Sequence, residues 1–347
     1  MKFFQVTENG SSISKEALGG LTTFLTMAYI LFVNPDLLSQ AGMDKSALYT
    51  VTILASIIGT LLAAFVAKMP LAMAPGMGLN AFFTFTLVLG EGIHWTTALG
   101  VVFLSGAVFF ILTLVGVREK IAQSIPKSLR LAVSAGIGLF ISFIGLKSIG
   151  LIQANPATLV TLGEIDKGLI IGFSSLILIL ILEYRKVKGG ILIGILAATI
   201  AGMLTGASPV PENWVSMPSS IEPLYFKLDI LSALKWSLIG PIFSFMFVDL
   251  FDSIGTILVC AKEAKLEKKD GSVPGMKKIL AADAGATMIG AVLGTSTTTT
   301  YIESAAGIQN GAKTGIASVF TALFFALALF IGPLALAVPA FATGPAL

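Results

Sequence analysis

Apolar runs of about 20 residues recur along the whole of this chain with short polar connectors between them, and a helix of that length crosses a bilayer. The repeat leaves an all-α polytopic membrane protein as the fold class. A membrane barrel would need short strands of alternating polarity instead. An ordinary soluble domain is excluded by a chain that is 55% hydrophobic and only 12% charged. Lys2, Glu8, Lys15 and Glu16 precede the first run, which continues too far to be a short signal core, so no cleaved leader is expected. The lone Cys260 cannot form an internal disulfide, and the lone His94 beside Trp95 reads as an interfacial aromatic pair rather than a metal ligand.

The runs fall at residues 18–33, 48–67, 70–89, 95–116, 131–149, 168–183 and 189–206, then at 236–261, 279–294, 295–308 and 314–331, with another starting near Leu334. Basic residues sit on alternate connectors: Lys2 and Lys15, Lys68, the group from Arg118 to Arg130, Arg185 to Lys188, and Lys262 to Lys278. The positive-inside rule makes these cytoplasmic, the N-terminus included, and predicts a multi-pass protein of the cell membrane. The net charge of +3 therefore serves topology and implies no nucleic-acid partner.

This topology requires residues 70–89 and 295–308 to cross as well, and neither reads as a plain helix. In the first, Pro75 lacks an amide hydrogen and disfavours helix at Ala74, while Gly76 and Gly78 allow unusual backbone angles. In the second, Thr297 to Thr300 favour extended backbone, and Ser304, Ala305, Ala306 and Gly307 are small enough for close packing. Backbone of this kind survives at membrane depth only where it lines a protein cavity. One interrupted span in each half is the mark of a transporter built from inverted repeats, with its site near the midplane.

Carboxylates lie inside the apolar runs. An acid at the bilayer centre costs roughly 2.5–3.5 kcal/mol, so it persists where it faces a protected site. Asp249, Asp252, Ser253 and Thr256 follow i, i+3, i+4, i+7 spacing and form one polar stripe on a helix, and Glu303 lies in the second broken span. No Lys or Arg lies well inside a span to pair with them. Thr22, Thr26 and Tyr29 make a weaker stripe in the first span, open to two readings: site groups or interhelical hydrogen bonding. Asn34-Pro35 should end that span. A carboxylate accepts two N–H donors side by side, and aromatic rings such as Phe82, Phe83, Phe245 and Phe251 can stack on a planar ring. The residues alone thus suggest a proton-coupled carrier of a small polar solute, a heterocyclic base being one candidate.

At these same residues the chain resembles the AzgA-like purine permeases of the nucleobase/ascorbate transporter superfamily. The likeness rests on Gly20 to Pro35, Ala74 to Phe83, Val248 to Thr256 and Gly294 to Gly307, which sample both halves. It implies an inverted-repeat nucleobase transporter fold of seven plus seven spans when complete. Residues 1–116 and 236–331 would form the core domain, and residues 117–235 and the start of an incomplete segment at 332–347 the gate domain. It further implies import of purine bases such as hypoxanthine, guanine and adenine by symport. Asp249, Glu303 and Asn80 match the family's substrate-binding positions, with Gly78, Ile302 and Thr26 completing the expected set, and Asp252 matches the second acid of span eight, the expected proton-coupling group. No cofactor is expected. The coupling ion is the proton, with Na⁺ left open, and the partners are a purine nucleobase and the lipid bilayer, with a homodimer as an open assembly state. Most of span twelve and the two spans after it do not follow Leu347, so a fragment or a shortened protein is expected.

Three other readings compete. A carrier of another base or of an organic anion shares the fold. An intramembrane prenyltransferase would hold Mg²⁺ on Asp249 and Asp252, but a second acidic motif and basic groups within the spans are missing from the sequence. A channel would present a continuous pore rather than acids at one depth.

Overall fold

The computed structural model describes residues 2–116, 127–266 and 273–347, and Arg118, Lys120, Lys268 and Lys269 of the basic connectors lie outside them. In chain order the elements are α1 (Ile13–Met27), α2 (Ile30–Ser39), α3 (Lys45–Leu62), β1 (Met73–Pro75), α4 (Met77–Ala81) and α5 (Trp95–Val115), then α6 (Lys127–Ser148), β2 (Ile152–Asn155), β3 (Leu159–Leu162), α7 (Lys167–Tyr184) and α8 (Gly190–Thr205). They continue as α9 (Ile230–Ala233), α10 (Ile239–Glu263), α11 (Met276–Leu293), β4 (Thr298–Thr300), α12 (Ser304–Gln309), α13 (Gly315–Ala328), α14 (Gly332–Leu336) and α15 (Ala340–Thr343). Among the described residues, six helical stretches are long and apolar enough to cross a membrane: Ile13–Ser39, Lys45–Ala67, Trp95–Val115, Lys167–Tyr184, Trp236–Glu263 and Gly315–Leu336. Shorter apolar helices occupy Met77–Val88, Ala135–Ser148 and Gly190–Thr205. The chain is a helical multi-pass membrane protein.

Both interrupted spans are broken where the sequence places the breaks. β1 and β4 pair antiparallel, with Met73 opposite Thr300, Ala74 opposite Thr299 and Pro75 opposite Thr298. Each strand then hands over to a helix, α4 or α12, and α4 winds on as a π-helical stretch, Phe82–Val88. The extended backbone is tolerated because its polar groups are bonded within the protein. Gly76 N–H donates to Thr297 O at 2.9 Å and Tyr301 N–H to Ala72 O at 2.9 Å. Side chains of neighbouring helices supply further partners: the Thr60 hydroxyl serves Met73 N–H and C=O at 3.0 and 3.1 Å, and the Thr287 hydroxyl donates to Thr298 O at 3.0 Å.

The helices flanking this pair of strands come very close to it. A Cβ on Gly59 of α3 would stand 2.9 Å from Met73 Cβ, and one on Gly290 of α11 would stand 2.6 Å from Thr298 Oγ1. One glycine from each half thus presses on the crossing.

Two expectations need correction. Asn34-Pro35 does not end the first span, because α2 runs through it to Ser39. The Asn34 amide is turned sideways, donating to Thr52 Oγ1 at 2.6 Å and Thr295 Oγ1 at 3.2 Å, and so bonds other elements instead of capping its own helix. The disturbance falls upstream of the proline, where Leu31 and Phe32 N–H tighten onto Ala28 and Tyr29 O. The helical stretch read as starting near Leu334 belongs to the preceding crossing, Gly315–Leu336, and the chain restarts only after Pro339. His94 does pair with Trp95, the ring centroids 5.5 Å apart, and its Nδ1 also caps α5, accepting from Thr96 N–H at 3.4 Å beside the Thr96 hydroxyl at 2.8 Å.

One end of the bundle gathers the N-terminal segment, the end of α3 and the 310–313 turn. Phe3 and Phe4 pack on Phe65, Lys68 Nζ lies 4.0 Å from the Phe3 ring centroid, and the buried Glu16 accepts from Lys313 and Thr314 N–H at 3.1 and 3.2 Å. Lys188 bonds Asn310 at this same end. The 207–235 connector packs at the other end, where Asp229 N–H reaches Thr96 O and Phe226 N–H reaches Val292 O, each at 2.9 Å.

Candidate functional site

Thr299 and Thr300 of β4 and the residues that follow each strand border a cavity of about 340 Å³. α4 contributes Gly78, the β4 segment contributes Thr299 to Glu303, α6 contributes Val133, Ile137 and Ile141, and α10 contributes Val248, Phe251, Asp252 and Thr256. Gly78 lets α6 approach: a Cβ there would stand 2.8 Å from Ile137 Cγ2. A smaller space of about 230 Å³ shares Gly78, Leu79, Ile137 and Val248 with the main cavity and continues past Phe82 and Phe140 to Thr86 and Ser244.

The polar stripe on α10 divides. Successive helical residues turn by about 100°, so a stripe of that breadth has two edges that meet different neighbours. Asp252 and Thr256 open on the cavity together with Val248 and Phe251. Asp249 and Ser253 lie on the buried side, with Asp249 only 2% exposed. Ser253 donates to Asp283 Oδ2 at 2.6 Å and contacts Thr299 Oγ1 at 2.9 Å.

Of the site residues expected from the sequence, Glu303, Gly78, Ile302 and Asp252 meet around one cavity. Asp249, Asn80 and Thr26 are not among its lining residues. Asn80 is fully buried and donates to Asn34 Oδ1, which joins the half-helix of the third span to the first. Thr26 bonds its own helix, its hydroxyl donating to Thr22 O and Thr23 O at 2.9 Å each. Of the aromatic rings, Phe251 lines the cavity, whereas Phe82 packs edge-on against Phe245 at 5.1 Å and Phe83 is fully buried.

Two features escaped sequence reasoning. Asp283 of α11 is fully buried and accepts from Thr300 N–H at 3.1 Å and its hydroxyl at 3.2 Å, in addition to Ser253. It carried the same signal as the other acids, a carboxylate inside an apolar run, but had no polar stripe around it. The second is Tyr301, which joins Tyr29 of the weaker stripe in the first span beside the cavity. Tyr29 donates to Glu303 Oε1 at 2.5 Å, and Tyr301 donates to Pro75 O at 2.5 Å, so both broken spans are fastened beside the cavity.

The arrangement can take a planar, hydrogen-bonding solute: acceptors at Asp252 and Glu303, hydroxyls at Thr256, Thr299 and Thr300, and a ring face at Phe251.

Comparison with known proteins gives consistent results. The sequence model described as Permease family matches residues 14–347. The chain is 45% identical over 360 residues to the guanine/hypoxanthine permease PbuG of Bacillus subtilis, covering 99% of this chain and 81% of that protein. It is 39% identical over 348 residues to the adenine permease AdeP of Escherichia coli, covering 100% and 78%. Among solved structures, the transmembrane domain of a cyanobacterial bicarbonate transporter, BicA, superposes with a TM-score of 0.73 at 14% identity, covering 96% of this chain and 86% of that one, a likeness of fold.

Proposed function

The chain belongs to the Permease family, a family of transporters and not of enzymes, and from that premise we propose that it carries purine nucleobases into the cell by proton symport. The observation that carries this reading is the acid pair, Asp252 and Glu303, opening on one cavity at the junction of the two broken spans. Purine bases present ring N–H and exocyclic donors along their edges, and carboxylates are the side chains that only accept when ionised. The names of the relatives, which specify guanine, hypoxanthine and adenine, support the same substrate class.

In this reading Glu303 and Asp252 face the base, and Phe251 offers it a ring face. Asp249, behind the wall, joins them as part of one coupled acid set that takes up a proton with the substrate, so that the cavity does not hold several bare charges in a low-dielectric surround. Asn80 maintains the geometry of the broken span through Asn34. The basic end of the bundle is cytoplasmic and the membrane is the cell membrane.

An anion carrier is the second reading, favoured by the likeness to a bicarbonate transporter. Acids at the cavity oppose it, since anions would meet like charges. Uptake of a labelled purine panel, with unlabelled hypoxanthine, guanine, adenine, xanthine, uracil and bicarbonate as competitors, decides between the two. Competition by purines alone supports the proposal, and competition by bicarbonate alone overturns it.

A further inference from the structure

Glu303 is approached from one side by the cavity and from the other by a phenol. Tyr29 stands at the tightened turn between α1 and α2, is 2% exposed, and donates to Glu303 Oε1 at 2.5 Å. Both side chains line the same cavity. The backbone carrying Glu303 is fixed by other bonds: Tyr301 to Pro75 O at 2.5 Å, and Ala72 N–H to the hydroxyl of the neighbouring Ser304 at 3.0 Å. The Tyr29 bond is therefore not needed to place the chain at residue 303. What it constrains is the carboxylate itself, whose terminal torsion is broad and lacks a sharp preference of its own.

We propose that Tyr29 is a positioning residue for Glu303, fixing the carboxylate plane so that the second oxygen meets a single ring N–H of a purine base. The inference rests on the nucleobase reading and sharpens it. The phenol takes one lone pair of Oε1 and fixes the direction of that oxygen, so Oε2 is the oxygen Glu303 turns to the base. It takes one N–H, and Asp252 in the same cavity is the acid available for a second donor. Selectivity at Glu303 is then selectivity for one protonated ring nitrogen.

The test is equilibrium binding of tritiated hypoxanthine to membranes containing the parent chain, Tyr29→Phe or Glu303→Gln, with competition by 1-methyl-, 7-methyl- and 9-methylhypoxanthine. Tyr29→Phe removes one oxygen and keeps the packed ring. It should weaken hypoxanthine binding about tenfold, the effect of losing a hydrogen bond to a charged group, without lowering the melting temperature in detergent. That penalty should vanish for 1-methylhypoxanthine if Glu303 takes N1–H, or for both 7-methyl- and 9-methylhypoxanthine if it takes the imidazole N–H. Glu303→Gln should lose the ranking among methylated ligands altogether. Parental binding by Tyr29→Phe, an equal loss for every ligand, or a parental ranking in Glu303→Gln would each overturn the inference. If the parent itself binds no purine while folded, the nucleobase reading falls first and the role of Tyr29 falls with it.

Discussion

The hydroxyl of Ser253 donates to Asp283 Oδ2 at 2.6 Å and thereby ties α10 to α11 behind the cavity wall. The other oxygen of Asp283 takes the amide and the hydroxyl of Thr300, so one carboxylate holds β4 to two helices. Alanine at 283 would strand a buried amide hydrogen at a cost of about 1–3 kcal/mol. Asp283→Ala is expected to lower the melting temperature in detergent and to remove most uptake, and Asp283→Asn, which keeps an oxygen for the amide, to do less of both. A parental melting temperature in the alanine variant would show that β4 is held by other means.

The two aspartates of α10 should separate by phenotype. Asp252→Ala and Glu303→Ala are expected to abolish purine binding with little change in melting temperature, because both groups open on the cavity. Asp249→Ala should lower stability together with transport, because its side chain is buried away from the cavity. Binding and melting measured on the same preparations check this. Loss of binding with parental stability in Asp249→Ala would return that residue to the substrate.

The close approach of α3 and α11 to the strand crossing predicts sensitivity to volume. Gly59→Val and Gly290→Val insert side chains where even a Cβ is crowded, and each should destabilise by about 1–3 kcal/mol. Fluorescence-detected size-exclusion after a heating series would read the shift. Tolerance of both valines would mean that the strands have room to move apart.

Much of this arrangement could be read from the sequence. Pro75, Gly76 and the threonine run have backbone preferences strong enough to mark both breaks, and the apolar runs fix the helical class without reference to tertiary contacts. Pro35 misled because its effect depends on neighbours: Asn34 finds partners on other elements, and the helix continues. The stripe on α10 revealed that Asp249 and Asp252 avoid lipid but not which of them meets the cavity, since that depends on how α10 is rotated against α6 and α11. The bonds of Tyr29 and Asp283 join residues far apart in the chain, and no local pattern encodes them.

Orientation can be tested with the chain's own cysteine content. Cys260 is buried, so single cysteines introduced at exposed sites report against a quiet background. A cysteine at Glu212 should react with a membrane-impermeant maleimide in intact cells, and one at Lys188 only after permeabilisation. The reverse pattern would invert the topology.

Proton-driven accumulation of a purine base is the behaviour that distinguishes a symporter. The protein is reconstituted in liposomes, and tritiated hypoxanthine uptake is followed with and without an inward proton gradient while internal pH is recorded. Accumulation above equilibrium is expected only with the gradient, with acidification that accompanies uptake and loss of both in Glu303→Ala. Hypoxanthine uptake that ignores the gradient and moves no protons, or uptake no greater than in protein-free liposomes, would contradict proton symport of purines.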